Sequence, residues 1–123
     1  MPFARIDLLK GKPAKFRAAV AEVVYQGIVS VLKAPDGDRF IVIGEHEPEN
    51  LVYDPKFLAM ERTPGFLLIQ VTSTVGNNTE SKFAFYRYIA DELAKLGVRQ
   101  DDIMINMVFV QKEDWSFGRG QPW

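Results

Sequence analysis

Cysteine is absent from this chain, and histidine occurs once, at His46. The first absence excludes disulfides and thiolate chemistry and fits a reducing compartment. The second leaves no cluster of nitrogen and sulfur ligands, so no metal site is expected, and His46 reads as a strand-end residue. No apolar run approaches the roughly 18 residues that a membrane-spanning helix needs. No basic start followed by an apolar core marks a leader, so the expected address is the cytoplasm. An excess of one charge is also missing. Lys and Arg number 15 against 16 Asp and Glu, and their even spread argues against a grip on nucleic acid or an anionic membrane. G-x-x-x-x-G-K, G-x-G-x-x-G and G-x-S-x-G do not occur, so nucleotide binding and serine hydrolysis have no support and no cofactor is expected.

What is present is an ordinary globular composition, 47% apolar and 25% charged over 123 residues. That length supports one core, so a single domain over residues 1–123 is expected. PFARIDLL (Pro2–Leu9) alternates, with Ala4, Ile6 and Leu8 on one face of a strand. Phe16, Val20, Val23, Val24, Gly27, Ile28 and Val31 then recur at helical spacing, with Pro13 suited to the first turn. APDGD breaks this helix, and RFIVIGE (Arg39–Glu45) is a second strand. After an irregular segment, His46–Gly65, that reads as a hairpin or a loop, the order repeats. FLLIQVTS (Phe66–Ser73) is a strand, Asn77 or Asn78 caps a helix striped by Phe83, Tyr86, Ile89, Ala90 and Leu93, and Gly97 sits at its C-cap. DDIMINMVFV (Asp101–Val110) is the fourth strand.

Pro2 to Gly65 and Asp38 to Asp102 give an internal repeat of about 64 residues. It marks two βαβ units, about 2–45 and 65–110, followed by a C-terminal segment 111–123. Right-handed crossovers in both predict an α+β fold, a four-stranded mixed sheet with two helices on one face. The other, still apolar face needs a partner, so a homo-oligomer is expected.

Proline fixes φ and gives a sheet no amide hydrogen, so at the head of a strand it has little structural use. Its bland reading is a harmless first strand position. If Met1 is removed, however, Pro2 presents a secondary amine. A terminal amine titrates near 8, so burial or a nearby carboxylate can set it as base or acid around neutral pH.

MPFARIDLLKGK, APDGDRFIVIGEHEP, IQVTS followed by KFAFYRYIADELAKLGV, and KEDWSFGRG, in this order, resemble the tautomerase superfamily, and within it the malonate semialdehyde decarboxylase group. The resemblance covers almost the whole chain. It implies a homotrimer whose active sites are built around terminal prolines. It also implies that Asp38 sits near Pro2 and holds its charged form. Asp36 is the alternative owner of that role, and a turn carboxylate is the bland reading. Trp115 and Phe117 correspond to the pocket wall, though aromatics bury equally well in a core or an interface. The group's two substrate-binding arginines are missing: their places read Thr74 and Gly76. Thr74 retains a hydroxyl to donate. Lys12, Arg39, Arg62 and Arg119 are candidates to supply charge from elsewhere, with a solvated surface cation as the bland reading of each, and Arg39 is the substrate-binding candidate.

The expected function is keto–enol tautomerisation of a small carbonyl compound or 2-oxo acid. Pro2 and Asp38 are the catalytic candidates, and Thr74, Trp115, Phe117 and Arg39 the substrate-binding ones. The enzymatic alternative is decarboxylase or hydratase chemistry on a 3-oxo acid. The alternative of another class is a non-catalytic trimeric binding protein.

Overall fold

The computed structural model describes residues 2–123. In chain order it forms β1 (Phe3–Leu9), α1 (Ala14–Ser30), β2 (Ile41–His46), β3 (Leu67–Thr74), α2 (Thr79–Ala94) and β4 (Ile103–Val110). The strands make one sheet in the order β2-β1-β3-β4. Each βαβ unit contributes a parallel pair, and the units join through antiparallel pairing of β1 with β3, where Ile6 faces Ile69. The expected mixed sheet with both helices on one face is the fold the chain adopts.

Strand alternation selects the buried face. Ala4, Ile6 and Leu8 of β1 and Leu67, Ile69 and Val71 of β3 are buried beneath the helices. Over them lie Val20, Val24 and Ile28 from α1 and Phe85, Ile89 and Leu93 from α2. Each large apolar side chain removed from water in this layer contributes about 1.5–3 kcal/mol. Asn78 caps α2 by accepting a hydrogen bond from the Ser81 amide at 2.8 Å. Asn77 does other work: its side chain donates to the Leu32 carbonyl at 3.2 Å, tying the start of α2 to the end of α1.

Three boundaries differ from the sequence reading. β2 begins at Ile41 because Asp38 and Arg39 donate back to Pro35 and Gly37 in a turn. β4 begins at Ile103 because residues 100–102 close into a short 3-10 turn. The middle segment is a loop with two such turns, Pro48–Asn50 and Phe57–Ala59. It is held by Tyr53, which stacks on Phe66 at 4.7 Å and donates to the Thr63 carbonyl at 2.9 Å.

The opposite sheet face mixes exposed Phe40, Val42 and Met104 with polar pairs. His46 meets Asp7 at 2.6 Å, and Gln70 donates to Asn106 at 2.9 Å.

The two helices are in close contact at Gly27. A Cβ there would lie 2.9 Å from the Phe85 ring and 3.1 Å from Ile89. Gly27→Leu therefore forces a wedge into the helix contact, and a loss of about 1–3 kcal/mol is expected in urea unfolding.

Candidate active site

Strand register assembles one end of the sheet around Pro2. Phe3 pairs with Thr72 on antiparallel β3, so Pro2 lies against Ser73, and both are buried. On the other side the Ala4 amide donates to the Phe40 carbonyl at 3.0 Å, which sets Pro2 beside the segment entering β2. A cleft of about 420 Å³ opens here, within the range that holds small ligands. Pro2, Ser73 and Thr74 come from the strands, and Leu32, Lys33 and Ala34 from the end of α1. Gly76, Asn77, Asn78 and Ser81 close it from the start of α2.

Asp38 stands in the turn that leads into β2 and is only 7% exposed. Among the described residues neither of its oxygens has a hydrogen-bond partner. Burial pushes its carboxyl above the usual range. Asp36, the alternative carboxylate, is engaged: it accepts from the Tyr25 hydroxyl at 2.6 Å. That hydroxyl also accepts from the Gly37 amide at 2.7 Å, so buried Tyr25 fastens the turn that presents Asp38. Arg39 faces away from the cleft. Its guanidinium stacks 3.6 Å over the Tyr25 ring and bonds Glu22 at 2.7 Å, holding the Glu22 carboxyl below its usual range.

Thr74 ends β3, and its Oγ1 is enclosed without a hydrogen-bond partner among the described residues. The Val75 amide donates to the Val110 carbonyl at 3.0 Å, so the C-terminal segment starts at this same end of the sheet. There Trp115 stacks on Phe117 at 5.2 Å, and Trp123, unmarked in the sequence reading, meets Phe117 edge-on at 5.4 Å. Trp115 Nε1 is another enclosed donor without a partner among the described residues. These aromatics form their own cluster and are not among the residues lining the Pro2 cleft. The structure thus joins Pro2 with Thr74, sets Asp38 in the turn before the adjoining strand, and keeps Arg39 on α1. The expectation that Met1 is removed concerns a residue outside the described ones.

A family model described as "Tautomerase enzyme" matches residues 38–118, and a second of the same description matches residues 2–60. The chain belongs to the tautomerase family. It is 36% identical to the "Probable tautomerase YusQ" of Bacillus subtilis (strain 168), over 98% of this chain and 96% of that one. Among solved structures it is similar to an FG41 malonate semialdehyde decarboxylase inhibited by 3-bromopropiolate, with a TM-score of 0.90 at 32% identity, covering 97% of this chain and 91% of that one. A fused 4-OT described as a symmetric trimer shares the fold at a TM-score of 0.79 and 16% identity, covering 98% and 94%.

This family member carries one cleft residue that the sequence reading passed over, Lys33. Its backbone has φ +64°, a left-handed conformation that L side chains rarely adopt. The signal was available, since the repeat sets Lys33 against Gly97. Asn77 was seen only as a capping alternative, because a hydrogen bond to another helix leaves no mark on local spacing.

The raised carboxyl of Asp38 has a definite pH consequence. Between the unfolded and the folded titration points the native chain binds more protons, so its stability falls as pH rises through that window. In Asp38→Asn this contribution vanishes. Thermal unfolding from pH 4 to pH 8 should show wild type losing stability relative to the variant as pH rises; a constant difference would refute the buried, raised carboxyl.

Proposed function

We propose that this tautomerase-family chain catalyses keto–enol tautomerisation of a small carbonyl compound, with Pro2, freed by removal of Met1, as the acid–base group. The observation that carries this reading is Pro2 buried on the floor of a cleft, next to strand ends that present unsatisfied polar groups. A neutral secondary amine accepts the proton of an enol hydroxyl. As the carbonyl forms, the electron pair of the carbon–carbon double bond takes that proton at the α-carbon, and the amine is regenerated. Asp38 tunes the amine, and the Thr74 hydroxyl is a donor for the carbonyl oxygen. Trp115 and Phe117 act as a wall only if substrate or a neighbouring chain brings them to the cleft. Arg39, held by Glu22, has the weaker case for contacting substrate.

One observation favours a second reading. Asp38 is buried without a hydrogen-bond partner among the described residues in the segment that Pro2 is set beside, and a carboxylate near a terminal amine stabilises its protonated form. A charged Pro2 suits decarboxylase or hydratase chemistry on a 3-oxo acid, the activity named for the similar FG41 enzyme. The exposed apolar residues on the open sheet face support assembly into a homotrimer; sedimentation of the purified protein should give a particle of three chains.

The direct test is ketonisation of phenylenolpyruvate by protein whose mass verifies loss of Met1, with Pro2→Ala alongside. The expected result is a rate that falls at least about 100-fold in the variant. Equal rates would refute Pro2 as the acid–base group. Absence of a rate in both, with acetaldehyde appearing from malonate semialdehyde by NMR, would select the second reading. Neither activity would leave the non-catalytic trimer.

A further inference from the structure

We infer that a second cleft, at the opposite end of the sheet from Pro2, binds a small carboxylate anion with an apolar body through Lys12 and Arg99. This site is separate from the reaction proposed at Pro2. Antiparallel pairing of the two βαβ units builds both clefts from equivalent parts. Around Pro2 these are the start of β1, the chain leaving α1 at Leu32 and the start of α2 at Asn78. In the second cleft Gly65 precedes β3, Leu96 and Val98 follow α2, and Lys12 and Pro13 lead into α1. Its volume of about 350 Å³ is within the range that holds small ligands.

The floor of this second cleft serves the fold. Asp102 is buried there, and its two oxygens accept from the Thr63 amide and hydroxyl, each at 2.6 Å. The rim is different. Lys12, a candidate charge for the Pro2 cleft by sequence, stands here instead, together with Arg99. Lys12 makes no ion pair with a described residue, and its ammonium lies 5.1 Å over the Phe16 ring. Arg99 donates to the Glu61 carbonyl, and the Glu61 carboxylate, 3.9 Å away, is 87% exposed. An exposed pair of that length contributes little and leaves the guanidinium open to another anion. Two cations thus stand against one carboxylate whose oxygens are already bonded, and the surplus favours an anion. The planar fork of Arg99 matches a carboxylate in particular. Phe16 and Leu96, both partly exposed, add apolar surface that a bare ion would leave wet.

The test is an NMR titration of the full chain, labelled with nitrogen-15, using benzoate, with neutral benzamide and acetate as controls. Amides of Gly65, Gly97, Val98 and Arg99 report the second cleft; those of Ser73, Thr74 and Gly76 report the Pro2 cleft. Benzoate should give saturating shifts in the first set, and both controls should bind there more weakly. Lys12→Gln and Arg99→Gln should each weaken benzoate at that set about 5-fold or more, the effect of losing one partly exposed charged contact. Lys12→Gln breaks no ion pair with a described residue, so it decides the matter even where Arg99→Gln fails to fold. Shifts in both sets, with only the first weakened in Lys12→Gln, would uphold the inference. Shifts confined to the Pro2 set, equal affinity for benzamide or acetate, or undiminished affinity in Lys12→Gln would each overturn it.

Discussion

The antiparallel pairing of β1 with β3 is the constraint on which the rest depends. Either βαβ unit alone has two strands and one helix, too little surface to enclose the row Ala4, Ile6 and Leu8. Pairing Ile6 with Ile69 completes a four-stranded sheet and brings both helices over one face. It also sets the start of the chain in the centre of the sheet. Pro2 is flanked by Ser73 on one side and the entry to β2 on the other. A residue in that position meets an environment made by both halves of the molecule.

The internal repeat supplies a control for each feature at the site. Asp38 and Asp102 occupy matching positions and both are buried. Asp102 accepts from the Thr63 amide and hydroxyl, each at 2.6 Å, and clasps the loop that precedes β3. Its partner in the repeat has no such clasp. Where the second unit has Gly65 and Gly97, the first has Pro2 and Lys33. The floor of the second cleft, formed by Gly65, Gly97 and Asp102, is therefore arranged for folding, with its carboxylate fully engaged. In the first unit the same backbone carries an unpartnered carboxylate, a proline at position 2 and a lysine of positive φ.

Much of the fold was legible because it rests on periodicity. Alternation in PFARIDLL and FLLIQVTS, and the three- and four-residue spacing in both helices, report which face is buried. Strand ends were less visible, since the turn at Pro35–Gly37 and the 3-10 turn before Ile103 depend on hydrogen bonds that spacing does not encode. At the site, Pro2 and Asp38 were marked by their residue types and by resemblance. The orientation of Arg39 was not. Its neighbour in sequence is Asp38, but its partners are Tyr25 and Glu22, one helix away. Lys33 was hidden for another reason, that a lysine near a helix end is ordinarily a solvated cation; only its positive φ and the glycine opposite it in the repeat set it apart.

The arrangement around Tyr25 explains how one short turn meets two demands. Asp38 has to stay buried without a hydrogen-bond partner, which is unfavourable and calls for rigid support nearby. Tyr25 gives that support by engaging the flanking groups, Asp36 through its hydroxyl and Arg39 through its ring, with Glu22 completing the chain of contacts. Arg39 is thus committed to holding the turn and is drawn away from the cleft. With Thr74 and Gly76 uncharged, Lys33 is the one charged side chain among the described residues lining the cleft. Lys33 follows α1, just before the turn that Tyr25 anchors; it lines the same cleft as Pro2, and no ion pair with a described residue neutralises it.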